Sequence, residues 1–268
     1  MQKSRLLMAA ISLGLCTQWA VAAPTVPERL LKVDKLTYCA GLDSPPLGSF
    51  DESQKPVGLT VDLGVEIAKR LGGKKVEWRV TPFSGLLPAL LAKQCDMIVD
   101  QLFDKPERRE VIDIVNYMYS SQSVVVPKGN PKGLKALANL SGHKVAVLNG
   151  STIKTLLDAE NDTLGKAGQP PMKLVVYNTD TDAFQALRIN QVDAYGTTVE
   201  TAGYYAATAP DLFEEGVPAF SRILTGLGIR KDDKELSAAV QQVISDMRSD
   251  GSYAQLLSKW KVSGDTLD

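Results

Sequence analysis

At 268 residues the chain is long enough to bury two cores and too long for a fold that depends on disulfide staples. Hydrophobic residues at 44%, charged at 23% and aromatic at 6%, with Gly 21 and Pro 14, exclude a disordered or collagen-like polymer. Thirty Lys and Arg face thirty-one Asp and Glu for a net charge of -1, and no basic run is present to neutralise a phosphate backbone, so nucleic acid is not an expected partner.

The chain opens with Lys3 and Arg5, then an apolar run from Leu6 to Leu15 that is too short to span a bilayer. With small residues at Ala20-Val21-Ala22, this reads as a secretory signal over residues 1–22, cut before Ala23. Cys16 follows the bulky Leu15, which argues against lipid attachment and for a soluble exported product. Beyond the signal, Cys39 and Cys95 remain, in a compartment where disulfides persist. Two cysteines suffice for one bridge. Cys39 lies within an expected strand and Cys95 just ahead of another, however, and parallel neighbours would set them too far apart, so two buried thiols are expected. The single histidine, His143, sits in a turn, and no C-x-x-C spacing occurs, which removes a zinc site and a Ser/His/Asp triad.

Leu36 to Ala40 reads as a buried strand feeding a loop over Gly41 to Gly48. Val61, Val65, Ala68 and Leu71 fall on one helical face, with Thr60 as N-cap and Gly72-Gly73 as the stop. Val76, Trp78 and Val80 alternate as a strand, Ser84 is placed to cap a helix through Leu91, and Met97 to Val99 is a further buried strand. This alternation predicts a parallel sheet with crossover helices and a ligand crevice at the C-terminal ends of the strands. A second unit follows, with strands at Val145 to Leu148, Leu174 to Tyr177 and Ala194 to Gly196, and helices starting near Thr152 and Asp182. The segment from Ala186 to Asp193 echoes that from Ala89 to Asp96, each a helix end, a polar turn and an Asp opening a strand. Val124-Val125-Val126-Pro127 is a candidate hinge strand, and an extended stretch from Phe220 to Ile229 is its counterpart. Helices over Lys234 to Met247 and Ser252 to Trp260 close the chain. If these pack on the first lobe, the chain crosses twice, as a clamshell hinge requires.

Val57-Gly58-Leu59-Thr60-Val61-Asp62-Leu63, Gly85-Leu86-Leu87-Pro88-Ala89-Leu90, Lys105-Pro106-Glu107-Arg108 and Met247-Arg248-Ser249-Asp250-Gly251-Ser252-Tyr253 occur in this order. Together they resemble the periplasmic family 3 solute-binding proteins of polar amino acid uptake systems, from about Leu36 to Trp260. The resemblance implies an α/β two-lobe periplasmic binding protein fold of type II, with a mostly parallel sheet flanked by helices in each lobe and a two-strand hinge. On that plan 23–125 form lobe 1, 126–222 lobe 2, and 223–268 return to lobe 1. It further implies a monomer without a cofactor that hands a small amino acid or related carboxylate to the membrane permease of an ABC importer.

Arg108 aligns with the arginine that clamps the ligand carboxylate in that family, and Pro106 sets it at a helix start, where an anion is favoured. A bidentate guanidinium adds roughly 1.5–3 kcal/mol. Outside that motif, an arginine beside Glu107 and Glu110 is an ordinary surface residue. Ser151 and Thr152 align with hydroxyl residues that bind the same carboxylate, and either also suits a plain N-cap. Phe83 aligns with an aromatic that flanks the ligand side chain, and would equally serve core packing.

The family pattern breaks at four positions. Ser44 and Leu47 stand where aromatics are usual, Phe103 replaces a hydroxyl, and Thr198 replaces the aspartate that receives the amine. An unpaired amine in a closed cleft is costly, so another anion or an aromatic face is required. Asp100 and Gln101 at a strand end, Asp43 in the first loop and Glu200 beyond Thr198 are candidates, and Phe83 and Phe103 offer ring faces for a cation at about 0.5–2 kcal/mol each. Leu102 to Arg108 resembles the corresponding segment of binding proteins for ectoine-type solutes, although the other box residues of that subset are absent. A cationic or zwitterionic amino acid derivative is the expected ligand. The competing functions are a dehydratase of cyclic carboxylates on the same scaffold, with Glu200 as general acid, and a sensor that presents ligand to a receptor. A lone carboxylate without a titratable partner at defined spacing gives the first little support. Gly226-x-Gly228 lacks the third glycine of a nucleotide motif.

Overall fold

The computed structural model describes residues 25–262, 264, 266 and 267, so the expected signal segment lies outside the described residues. A short helix α1 (Glu28–Leu31) precedes strand β1 (Lys35–Ala40), the small hairpin β2 (Ser49–Phe50) and β3 (Pro56–Val57), helix α2 (Leu59–Arg70), strand β4 (Lys75–Val80), helix α3 (Phe83–Leu91) and strand β5 (Met97–Phe103). The single turn α4 (Pro106–Arg109) leads into the long strand β6 (Ile112–Pro127). The second unit contains β7 (Lys144–Leu148), α5 (Thr152–Lys166), β8 (Lys173–Tyr177), α6 (Asp180–Arg188), β9 (Ala194–Thr198) and α7 (Val199–Thr208). Strand β10 (Phe213–Arg230) then leads to α8 (Lys234–Ser249) and α9 (Ser252–Lys259).

Among the described residues eight strands join one sheet in the order β4-β1-β5-β10-β6-β9-β7-β8. On one side β1 runs parallel to β4 and β5, and on the other β7 runs parallel to β8 and β9. β6 and β10 run antiparallel between these halves, paired from Phe213 opposite Pro127 to Arg230 opposite Ile112. Each therefore belongs to both halves. Their pairing slips between Glu215 and Ile223 and again between Thr225 and Gly226, so the ladder is irregular where the halves meet.

The buried residues divide accordingly. One core joins Leu36, Tyr38, Leu63, Ile67, Met97 and Val99 to Val240, Val243 and Leu257 of the terminal helices. Two others, built around Val145, Val147 and Leu157 and around Ala146, Phe184 and Tyr195, lie in the second half. The C-terminal helices thus return to the first half, and the chain crosses the hinge twice. Among the described residues no helix is long and apolar enough to cross a membrane.

Local details differ from the expectations in informative ways. Helix α2 and its C-cap bury Val61, Ala68 and Leu71 of the expected face together with Leu59, Leu63 and Ile67, while Val65 is 47% exposed. Leu59, Leu63 and Ile67 remove more apolar area from water than a single valine, and the face they centre turns Val65 outward. Thr60 does not cap this helix: Gly58 holds the N-cap position, and the Thr60 hydroxyl donates to the Leu47 carbonyl at 2.9 Å. Gly58 has φ +136°, and a Cβ there would lie 2.2 Å from the Leu47 oxygen, so only glycine fits. Helix α3 starts one residue before Ser84, behind Pro82, and α6 starts at Asp180 rather than Asp182 because the Thr179 side chain accepts the Asp182 amide.

The two echoing segments are one repeated corner. In each, a residue with φ near +57° (Lys93, φ 58°; Asn190, φ 57°) reverses the chain, and the next amide bonds back to the helix, Gln94 to Ala89 and Gln191 to Ala186, both at 2.9 Å. Asp96 and Asp193 then donate their amides to the carbonyls of Thr37 and Lys144 at 2.8 Å, and accept the amides of those residues through their carboxylates at 2.9 Å.

This corner also overturns the expectation of two free thiols. Cys39 and Cys95 form a disulfide, with Cα atoms 5.7 Å apart. Cys95 would lie out of reach of Cys39, which pairs with Ile98, only if it continued β5 in line with the strand. Residues 92–96 instead form a turn that folds back against β1, next to a small core that includes Cys39, Leu86, Leu90 and Ile98.

Candidate functional site

The carboxyl ends of β1, β5, β8 and β9 point toward the junction of the two halves, together with the N-termini of α3, α5 and α6. A cleft opens there. Its wall includes Asp43, Ser44, Phe83, Asp100, Gln101 and Phe103 from the first half, and Ser151, Thr152 and Thr198 from the second. Arg108, the remaining candidate, stands just behind that wall. Its Nη1 donates to the Phe103 carbonyl at 2.9 Å and its Nη2 to the Gly150 carbonyl at 3.4 Å, while its guanidinium lies 5.5 Å from the centre of the Phe83 ring. α4 is one turn long and the Arg108 amide is already bonded to Lys105, so the guanidinium, not a helix dipole, is what this segment offers an anion.

The two hydroxyls at the start of α5 have different work. Ser151 donates to the Leu148 carbonyl at 2.6 Å and accepts the Lys154 amide at 3.3 Å, which makes it the N-cap. Thr152, 4% exposed, has no hydrogen-bond partner for its Oγ1. Gln101 Nε2 is likewise buried without a partner, as is Nε2 of Gln122, a hinge-strand residue on the cleft wall. Three donors with nothing to bond line one cavity, an arrangement that costs free energy unless a guest brings acceptors.

Facing them are carboxylates. Asp100 accepts the Gly41 and Gln101 amides, both at 2.7 Å. Gly41 permits this: a Cβ there would stand 2.9 Å from Asp43 Oδ1 and 3.2 Å from Asp100 Oδ2. Enclosure away from water raises the Asp100 pKa to about 6, with repulsion from Asp43 adding and the two amides and Arg108 opposing. Asp180 opens α6 on the far wall and is 7% exposed. Tyr195 donates its hydroxyl to Asp180 Oδ1 and Ser44 donates to Oδ2. Burial, then repulsion from Asp43, pushes the Asp180 pKa up to about 7 despite these donors. Asp43, also raised by burial, reaches across the cleft and accepts the Asp180 amide at 2.9 Å. Thr198 donates to Thr201 at 3.5 Å. Glu200 accepts from Ser120 at 2.8 Å and lies outside this cleft wall.

Sequence reasoning missed Gln122, Thr197, Leu148, Ile153 and Asp180 on this wall. Signals existed for two of them. Thr179 three residues before Asp182 is an N-cap pattern that sets Asp180 on the first turn, straight after a strand end. Gln122 belongs to the polar run Ser120-Ser121-Gln122-Ser123 inside an otherwise apolar strand.

Two α/β halves, a two-strand hinge and a polar cleft between them define a binding protein of the clamshell type, and the neighbouring solved structures share this fold. Residues 36–263 match the model of bacterial extracellular solute-binding proteins, family 3, and the chain belongs to that family. The lysine/arginine/ornithine-binding periplasmic protein of Escherichia coli (strain K12) is 29% identical over 268 residues, covering 96% of each chain. An ancestral arginine-binding protein bound to arginine has a TM-score of 0.78 at 31% identity, over 85% of this chain and 98% of its own. An ancestral amino acid-binding protein, AncCDT-1, a precursor of cyclohexadienyl dehydratase, has a TM-score of 0.75 at 29% identity, over 87% and 98%.

Proposed function

We propose that this chain is the periplasmic solute receptor of an ABC importer and that it closes on a small amino acid or a related zwitterionic or cationic carboxylate. The observation that supports this best is one cleft that pairs three unpartnered donors, with Arg108 just behind its wall, with Asp43, Asp100 and Asp180. A guest that offers acceptors at one end and a positive group at the other answers both demands. Residues 1–22 act as the export signal, 23–125 and 223–268 form one lobe and 126–222 the other, and the monomer delivers its ligand to a membrane permease. The binding roles of Asp43, Ser44, Phe83, Asp100, Gln101, Phe103, Arg108, Ser151, Thr152 and Thr198 belong to this reading, with Ser151 acting through its cap. Glu200, bonded to Ser120 away from the cleft wall, gives a dehydratase no acid at the ligand.

Native mass spectrometry of the purified chain, then a thermal-shift screen of amino acids, amines and betaines, identifies the guest, since bound ligand raises the melting temperature by mass action. Arg108→Ala is expected to weaken the recovered ligand at least a hundredfold by calorimetry. Unchanged affinity refutes Arg108 as the carboxylate clamp.

A further inference from the structure

We infer that Asp180 receives a cationic side chain of the ligand, which makes it the residue that selects basic over neutral amino acids. This rests on the reading of the cleft as an amino acid site and goes further, naming the substrate class and the residue that sets it.

Asp180 is held by two hydroxyl donors, one on each oxygen, and among the described residues no Lys or Arg forms an ion pair with it. Its carboxylate is therefore positioned but not neutralised. Asp43 is engaged at the α6 amide, Thr198 has no charge, and Glu200 faces Ser120. Arg108 bonds the Phe103 and Gly150 carbonyls beside the Phe83 ring, whereas Asp180 is bonded to a different set of residues, Ser44, Asp43 and Tyr195. The unpartnered Thr152 Oγ1 sits on the same wall segment as Gly150, whose carbonyl Arg108 touches. A ligand carboxylate at Arg108 and Thr152 sets its α-ammonium near Asp100, and the side chain extends toward Asp180. Three ion pairs result: carboxylate with Arg108, α-ammonium with Asp100 and side-chain cation with Asp180, while Asp43 keeps the α6 amide. Gln101 and Gln122, buried and without partners for their Nε2 atoms, independently mark this cavity as built for a guest.

Asp180 is faced by Asp43 from the first loop, Asp100 from β5, Tyr195 from β9 and Tyr205 from α7, with Asp182 on its own helix acting on Asp43 and Arg108 opposing Asp100. No cation faces it directly in this set. Lowering pH places a proton on Asp180 and removes the feature that distinguishes a cationic side chain.

Calorimetry of the full chain with L-arginine, L-lysine and L-ornithine against the neutral L-citrulline and L-glutamine tests this. At pH 8 the best basic ligand is expected to bind at least a hundredfold tighter than the neutral ones. D180N should shrink that gap tenfold or more, whereas Arg108→Ala weakens both classes and leaves the gap within about threefold of its wild-type size. The wild-type gap should also shrink between pH 8 and pH 5, a readout that requires no variant to fold. A gap that survives both D180N and pH 5, or tighter binding of neutral ligands by the wild type, overturns the role of Asp180 and leaves the amino acid site standing. If no amino acid binds the wild type, the inference and the function it rests on are both overturned.

Discussion

Asp100 and Asp180 take up protons near pH 6 and pH 7, two to three pH units above an exposed aspartate, because the shut cleft withholds water from them. The folded chain therefore binds protons that the unfolded chain, with aspartates near 4, releases. Between pH 4 and pH 7 the native state holds the larger number of protons, so stability falls as pH rises through that window. The melting temperature of the ligand-free chain is expected to be several degrees higher at pH 5 than at pH 8, and D180N to flatten the profile. A melting temperature that climbs from pH 5 to pH 8 contradicts this assignment. A saturating basic ligand should reverse the trend, since it takes the place of the proton. At this scale nine of the ten candidate residues were found from the sequence and brought to one wall, with Arg108 immediately behind it. Thr179 marks the start of α6, but the place of Asp180 in the cleft arises from tertiary proximity to Asp43 and Ser44, which lie far away along the chain.

Elements explain why residues of the same type act differently. Ser151 and Thr152 are adjacent hydroxyls, yet the helix start consumes the first as a cap and turns the second into the cavity. Asp43 and Asp100 are both enclosed carboxylates, but Asp43 binds the first turn of α6, whereas Asp100 organises the strand end that faces the guest. Asp100→Asn is accordingly expected to weaken a cationic ligand at least tenfold more than Asp43→Asn, by calorimetry at pH 8. Equal losses would remove Asp100 from direct recognition. Helix periods, strand alternation and the repeated corner were readable because they depend on neighbours within about ten residues. The outward turn of Val65 on α2 and the backward fold of residues 92–96 were not, because packing partners elsewhere in the chain decide both.

For the molecule as a whole, closure depends on a few bonds across the cleft. Ser44 to Asp180, the Asp180 amide to Asp43, Thr181 to the Asp43 carbonyl and Arg108 to Gly150 hold the halves together, while β6 and β10 form the joint. Three of these four contacts involve Asp43 or Asp180, so ligand chemistry and closure are coupled through the same carboxylates. The disulfide belongs to this scale as well. It closes a sequence separation of 56 residues, and chain-entropy reasoning assigns such a loop about 4 kcal/mol. The Cys39→Ala/Cys95→Ala double variant should unfold at a clearly lower denaturant concentration than the oxidised wild type. An unchanged midpoint would mean that the bridge contributes nothing to folding.

The repeated corner has Cys95 in the first half and Val192 at the matching place in the second, so one jaw is riveted and its twin is not. Heating or denaturant should therefore loosen the unriveted jaw first, while the other keeps its shape. Reduction should erase that order of events, and hydrogen exchange resolved by segment would record the change. A receptor built this way would shed its guest by fraying on one side long before the whole body came apart.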